Sequence, residues 1–358
     1  MGEQGFDDLG RPQDDDVISI EEALIRQEQS VRDANAHVAA LILTAVRTEL
    51  ADDGDLATLL PREVRFGDMV GLRILATVHR LALERVAPSV ALHLPTLGGL
   101  PPTPELAPAF AEGVVRALCD NPVSLLAGLA QTPQTNETGR SALLRIALSR
   151  LGTDLPVLLN EIGASAGLNL RADHLPGDPQ LEKAPLPTIA ARRGCDLHPI
   201  DPTTADGRLT LTSYVWVDDV PRFDRLRNAL DVAAGIPATL VRQDAASFVE
   251  ELKVAEGSTT VLWHSAMWLY LPLDTKRRIL AALSALGSSA ESTRQLAHVS
   301  WEWQPNPEDL TTPFELVMRR WRGRPDDGVP IVVVRGHGHG HRLVDAGSLA
   351  LPAEPLAH

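Results

Sequence analysis

Cysteine and lysine are scarce in this chain, and the shortage of cysteine closes off a class of protein. Two cysteines among 358 residues, Cys119 and Cys195, cannot build a disulfide framework, and neither belongs to a C-x-x-C metal pair. Lysine is confined to Lys183, Lys253 and Lys276, so arginine carries nearly all the positive charge. Even so, 33 basic residues face 47 acidic ones, for a net charge of −14. A protein that tracks nucleic-acid phosphates normally presents a basic stripe, so nucleic acid is not an expected partner. A small anion site stays open, because local geometry can overrule net charge. No run of about 18 apolar residues occurs, so no helical membrane span and no membrane partner are expected. Residues Met1 to Asp16 are polar and acidic rather than basic and then apolar, which argues against a signal peptide. The expected location is the reducing cytoplasm.

Aromatic residues are few and unevenly spread. Of fourteen Phe, Trp and Tyr, only Phe6, Phe66 and Phe110 precede residue 214, and all six Trp lie from Trp216 onward. The two halves are therefore expected to differ in architecture.

The first half reads as helical. Residues 1–17 have little to bury and are expected to be disordered. Ser19 with Glu22 forms a capping box for a helix running to about Leu50. Further helices are expected over Asp68 to Val86, from Thr103-Pro104-Glu105 to Leu118, from Asn121-Pro122 to Ala130, and over Gly139 to Leu151. No strand is expected before residue 155.

From there the pattern alternates. Leu155 to Glu161, Ile189 to Asp196, Ala238 to Arg242 and Thr259 to His264 read as strands. Later strands are Leu296 to Trp303, Phe314 to Trp321 and Val329 to Val334. Helices are expected from Leu168, over Pro221 to Ala234, over Ala245 to Val254, and over Thr275 to Leu286 with Asp274 as cap. The expected fold class is α/β, a Rossmann-like, doubly wound, mostly parallel sheet with an N-terminal helical subdomain. Its expected limits are 18–152 for the helical part and 153–346 for the sheet, with 347–358 flexible.

The chemistry should centre on Glu161-Ile162-Gly163-Ala164-Ser165-Ala166-Gly167, a strand, an acid and a glycine turn. As a dinucleotide fingerprint G-x-G-x-x-G it fails, because Ser165 stands at the middle glycine. As G-x-S-x-G it matches a nucleophile elbow, with Asp244 or Asp309 and His337 or His339 as partners. That fold, however, needs several strands before its elbow. As acid-x-Gly-x-x-x-Gly it resembles the first motif of Rossmann-like S-adenosylmethionine-dependent methyltransferases. That resemblance implies S-adenosylmethionine as cofactor, held by Glu161, Gly163, Ala164, Ser165 and Gly167. It further implies Asp196 for the ribose hydroxyls, and Asp244 with Ala245 for the adenine. The longer gap before Asp196 requires an insertion at about Asp173 to Pro187.

Asn136, Glu137 and Arg140 open a helix, where an acid suits the dipole; Arg140 could also hold the cofactor's methionyl carboxylate bidentately. His264 ends an apolar strand, where a near-neutral base would be useful. It is the expected catalytic residue, with Trp263, Trp268 and Tyr270 as core or pocket wall. Gly336-His337-Gly338-His339-Gly340-His341 would put three histidines on one face of a continued strand. Interleaved glycines more often make a turn, so no metal is expected.

Three segments resemble domain-of-unknown-function family 2332 of bacteria: Gln134 to Arg140, Glu161 to Leu170, and Arg193-Gly194-Cys195-Asp196-Leu197-His198-Pro199-Ile200-Asp201. The resemblance spans about residues 20 to 345 and implies a fold rather than an activity. The leading expectation is a methyltransferase-like enzyme acting on a small molecule. A serine hydrolase using Ser165 and a non-catalytic binding protein are the alternatives.

Overall fold

The computed structural model describes residues 16–304, 314–338 and 341–350. They form two compact units, one ending at Thr135 but regaining 205–224, the other made of 136–204 and the chain from Arg225. The first unit thus ends ahead of the expected limit at 152. The expectations for 1–15 and 351–358 fall outside the described residues.

In the helical unit Ser19 accepts a hydrogen bond from the Glu22 amide at 3.1 Å and opens the helix Ile20–Asp33. The helix expected to reach Leu50 breaks at Asn35, whose φ of 59° lies in the left-handed region that asparagine tolerates. A second helix, His37–Ala51, starts afresh. Val70–Leu83, Ala107–Cys119 and Pro122–Ala130 follow. Leu24, Ile42, Leu43, Ile74, Val78 and Leu118 join in one aliphatic core. A strand pair and a helix escaped sequence reading. Strands β1 (Val17–Ser19) and β2 (Glu63–Arg65) pair antiparallel, although no strand was expected here; three residues are too few to show an alternation. The helix Ala205–Ser213 belongs to this unit as well.

The sheet unit contains β3 (Val157–Ile162), β4 (Ile189–Asp196), β5 (Thr239–Arg242), β6 (Ser258–Ser265) and β7 (Arg294–Trp303), then β8 (Phe314–Trp321), β9 (Ile331–His337) and β10 (His341–Ala350). They form one eight-stranded sheet in the order β10-β9-β8-β7-β6-β3-β4-β5. The run β5-β4-β3-β6-β7 is parallel, and β8, β9 and β10 extend it antiparallel. This is a Rossmann-like α/β arrangement. One face carries the helix Arg140–Leu148, with Leu143 and Leu144 in the same core as Leu159 and Val261. The other carries Ala245–Glu250 and Leu273–Ser288, where Phe248 and Ile279 join Ile162 and Leu262. Burial on both faces explains why β3 and β6 read as continuous apolar runs.

Three local expectations change. The segment after the glycine turn is a 3₁₀ helix, Leu168–His174. Asp274 lies in the first turn of its helix rather than at the cap, which is Pro272. Strand β10 reaches Ala350, past the expected limit of 346. No helix among the described residues is long and apolar enough to cross a membrane.

Candidate functional site

Strand order reverses between β3 and β6, which is where a doubly wound sheet opens a crevice at its carboxyl edge. The glycine turn leaves β3 at that point. Gly163, Ser165 and Gly167 all have positive φ, at 65°, 52° and 62°. Glycine takes this conformation freely, whereas Ser165 holds it at a cost of roughly 1–2 kcal/mol. The turn packs closely on β4, because a Cβ on Gly194 would come within 2.7 Å of the Ala164 Cβ.

Four N–H groups at this turn are taken up within the protein. Ala164 N donates to the Cys195 carbonyl at 2.9 Å and Gly167 N to the Ala164 carbonyl at 2.6 Å. Ser165 N donates to Asp196 Oδ2 at 2.8 Å, and Leu168 N to Asn136 Oδ1 at 3.0 Å. Asp196 also accepts from His198 N through Oδ1, at 2.9 Å. The acid expected to meet a ribose therefore braces the turn, and it does so from a half-buried position.

Glu161 is buried at the end of β3. Burial pushes its carboxyl up to about 8, against the opposing pull of Trp263, Asn169 and the Arg171 charge. Its Oε2 has no hydrogen-bond partner among the described residues. The expected trio lies close by. Asn136 caps the 3₁₀ helix, as just described. Glu137 is buried, accepts from Gly139 N at 2.9 Å and lies 3.7 Å from Arg225. Arg140 donates to the carbonyls of Ser265 at 3.2 Å and Gly338 at 3.3 Å. Residues 136–140 therefore bridge the ends of β3 and β6. Met267 lies over Gly163, within 3.2 Å of where a Cβ would stand.

His264 is buried, and both its ring nitrogens face protein groups. Nδ1 lies 2.7 Å from Glu302 Oε1, and Nε2 lies 3.0 Å from His298 Nε2. Trp268 stacks on the ring at 5.1 Å. Contrary to the open base expected from sequence, this imidazole has no free nitrogen to offer a substrate. Glu302 also accepts from the amides of Met267 and Trp268, each at 3.2 Å. The carboxylate thus ties His264 to the turn that covers Gly163. His298 is held well below its ordinary pKa, first by burial and then by the charges of His264 and Arg319. The geometry sets Nδ1 of His264 against the Glu302 carboxylate and its Nε2 against Nε2 of His298, so a hydrogen between the two rings can be carried by only one of them. Sequence reading missed His298 and Glu302. The signal was present, since His298, Ser300 and Glu302 alternate on one face of a strand whose other face is apolar.

Asp244 is the N-cap of Ala245–Glu250, accepting from Ser247 N at 3.0 Å, with Arg278 3.8 Å away. Those bonds to Ser247 hold its carboxyl below the usual range. Ala245 is the buried first residue of that helix. Glu161, Asp196 and Asp244 follow or end three neighbouring parallel strands, so the sheet brings the expected acids to one edge. His337 ends β9, paired across the ladder with His341, while His339 and Asp309 lie outside the described residues. Among the described residues no three His, Cys, Asp or Glu gather as a metal site.

A family model described as "Uncharacterized protein conserved in bacteria (DUF2332)" matches residues 22–178 and 175–344. The chain belongs to this family. No curated protein matches it.

Proposed function

We propose that this DUF2332 protein is an S-adenosylmethionine-dependent methyltransferase-like enzyme acting on a small molecule, with its cofactor site at the glycine turn. One observation carries the reading: four amides of the turn are already taken up within the protein, and acids stand at the sheet edge. A pyrophosphate or an oxyanion needs open N–H groups. In this turn the amides of Ala164, Ser165, Gly167 and Leu168 are already committed. S-adenosylmethionine is a cation that also presents an ammonium, two hydroxyls and an adenine amino group, all of which seek acceptors. The acceptors are there. Glu161, which burial keeps protonated up to about pH 8, still offers its carbonyl oxygen with Oε2 unpartnered, and Asp196 and Asp244 have spare lone pairs.

In this reading Glu161, Asp196 and Asp244 would hold the cofactor, which supplies an electrophilic methyl group. Residues 136–140 keep the crevice in shape through Asn136 and Arg140, and Glu302 holds the Met267–Trp268 turn. Met267 is unbranched and can change rotamer to admit a ligand. A relayed His264 then serves as a positioning residue.

The test is thermal shift with S-adenosylmethionine, S-adenosylhomocysteine, NAD and NADP. Either S-adenosyl compound at 100 times its Kd should stabilise the fold by about 2.7 kcal/mol, while the dinucleotides do nothing. Stabilisation by NAD or NADP alone overturns the reading. The positive φ of Ser165 favours a second reading, a serine hydrolase with a strained elbow. Covalent labelling of Ser165 by a fluorophosphonate would put that reading first.

A further inference from the structure

The helical unit carries an open pocket of about 310 Å³, bordered by Val70–Leu83, Pro122–Ala130 and the Ser213-Tyr214 pair. That is the size of a small-molecule pocket. Its walls combine apolar groups, among them Leu81 and Val123, with a few polar ones.

Two of the polar groups are incompletely used by the protein. Tyr214 is 2% exposed, yet its hydroxyl makes no hydrogen bond among the described residues and borders the cavity. A buried phenol normally finds a partner. Burial pushes this one up to about 12, so it remains a proton donor at any working pH. Arg73 is the second group. One of its terminal nitrogens donates to the Leu129 carbonyl, but its buried Nε has no partner. Its nearest carboxylate, Asp68, is 3.9 Å away. The other arginine on the wall, Arg80, is fully engaged by Glu84, Asp206 and Thr210. That pairing also neutralises Glu84, the acid on the same wall.

A hydroxyl donor that opens to the pocket and an under-neutralised guanidinium beside apolar walls suit a ligand with an acceptor anion and an apolar body. We propose that the helical unit binds a small organic carboxylate in this cavity, with Tyr214 and Arg73 as its polar determinants. The site owes nothing to the glycine turn and stands whether or not that turn binds a cofactor.

The experiment uses the full chain with benzoate, hexanoate, inorganic phosphate and benzylamine, followed by ligand-observed NMR and calorimetry. At least one carboxylate should bind saturably, ahead of phosphate, and benzylamine should not. Tyr214→Phe keeps the ring and removes the hydroxyl, so it should weaken carboxylate binding about tenfold. Ala127→Phe, placed at the exposed mouth, should block binding without touching either polar group. No saturable carboxylate binding, a preference for phosphate, or equal affinity in wild type and Tyr214→Phe would each overturn the proposal.

Discussion

His79 in the helical unit and His264 in the sheet unit are both buried, at 0% and 2% exposure, and their rings are held in opposite ways. His79 has neutral partners, with the Val215 carbonyl 3.0 Å from Nδ1 and the Thr96 hydroxyl 3.1 Å from Nε2. Burial lowers its pKa to about 4, and the ring is a neutral core residue. His264 instead lies between a carboxylate and a second histidine. The same contrast separates the units at large. The helical unit buries mainly aliphatic groups, whereas the sheet unit buries Glu137, Glu161, Arg171, His264, His298 and Glu302. Buried ionisable groups are costly unless something compensates them. Most of these lie at or near the carboxyl edge of the parallel strands, the edge where the proposed function sets its site.

The contrast can be tested through pH, with the largest effect at Glu161. Its folded pKa of about 8 lies above the ordinary 4.5, so the folded state holds the proton more tightly. The stabilisation is complete below pH 4.5 and is lost as pH rises through 8, by about 5 kcal/mol in total. Glu161→Gln should remove that slope. The difference in urea midpoint between variant and wild type, followed from pH 4.5 to 8, measures it. Parallel profiles would break the comparison.

Glu302→Ala comes next. It leaves the His264 ring and the Met267 and Trp268 amides without their acceptor, which should destabilise the sheet unit by about 3–5 kcal/mol. Glu302→Gln keeps one acceptor and should cost clearly less. Amide exchange read separately in each unit should show the loss in the sheet unit.

The helical unit should fail on the acid side. His79 has its pKa lowered in the fold, so its contribution is present above pH 6.5 and is lost as pH falls toward 4, by about 3 kcal/mol. His298 acts in the same direction in the sheet unit. His79→Asn should flatten the acid slope of exchange in the helical unit and leave that of the sheet unit unchanged.

Two helix caps give the smallest effect. Ser19→Ala and Asp244→Ala should each cost about 1 kcal/mol, and Asp244→Asn only a few tenths. Under the proposed function only Asp244→Ala should also weaken S-adenosylhomocysteine binding, by about 1–3 kcal/mol in calorimetry. Equal affinity in wild type and Asp244→Ala would leave Asp244 as a cap alone.

Much of this was legible in the chain. Ser19 with Glu22, the breaks around glycine and proline, and the alternation of strands with helices after residue 155 are local signals acting over a few residues. The acids at Glu161, Asp196 and Asp244 were legible for the same reason, since each follows an apolar run or ends one. The commitment of the turn's N–H groups within the protein was not. It depends on Asp196 and Asn136, each about thirty residues from the amide it accepts. The state of His264 was hidden too, because the β6–β7 register decides which side chains of β7 it meets.

Sequence alone determined the strands from β3 to β9, the glycine turn and the cap at Ser19, because each depends on backbone preferences and periodicity within one segment. Only tertiary structure decided that residues 205–224 return to the helical unit, that Tyr214 borders a cavity, and that His264 is closed off by Glu302 and His298. Each of these is a pairing between residues far apart in the chain, set by how faces bury against each other. A one-residue slip of β7 against β6 would turn Glu302 to the other face and release the histidine.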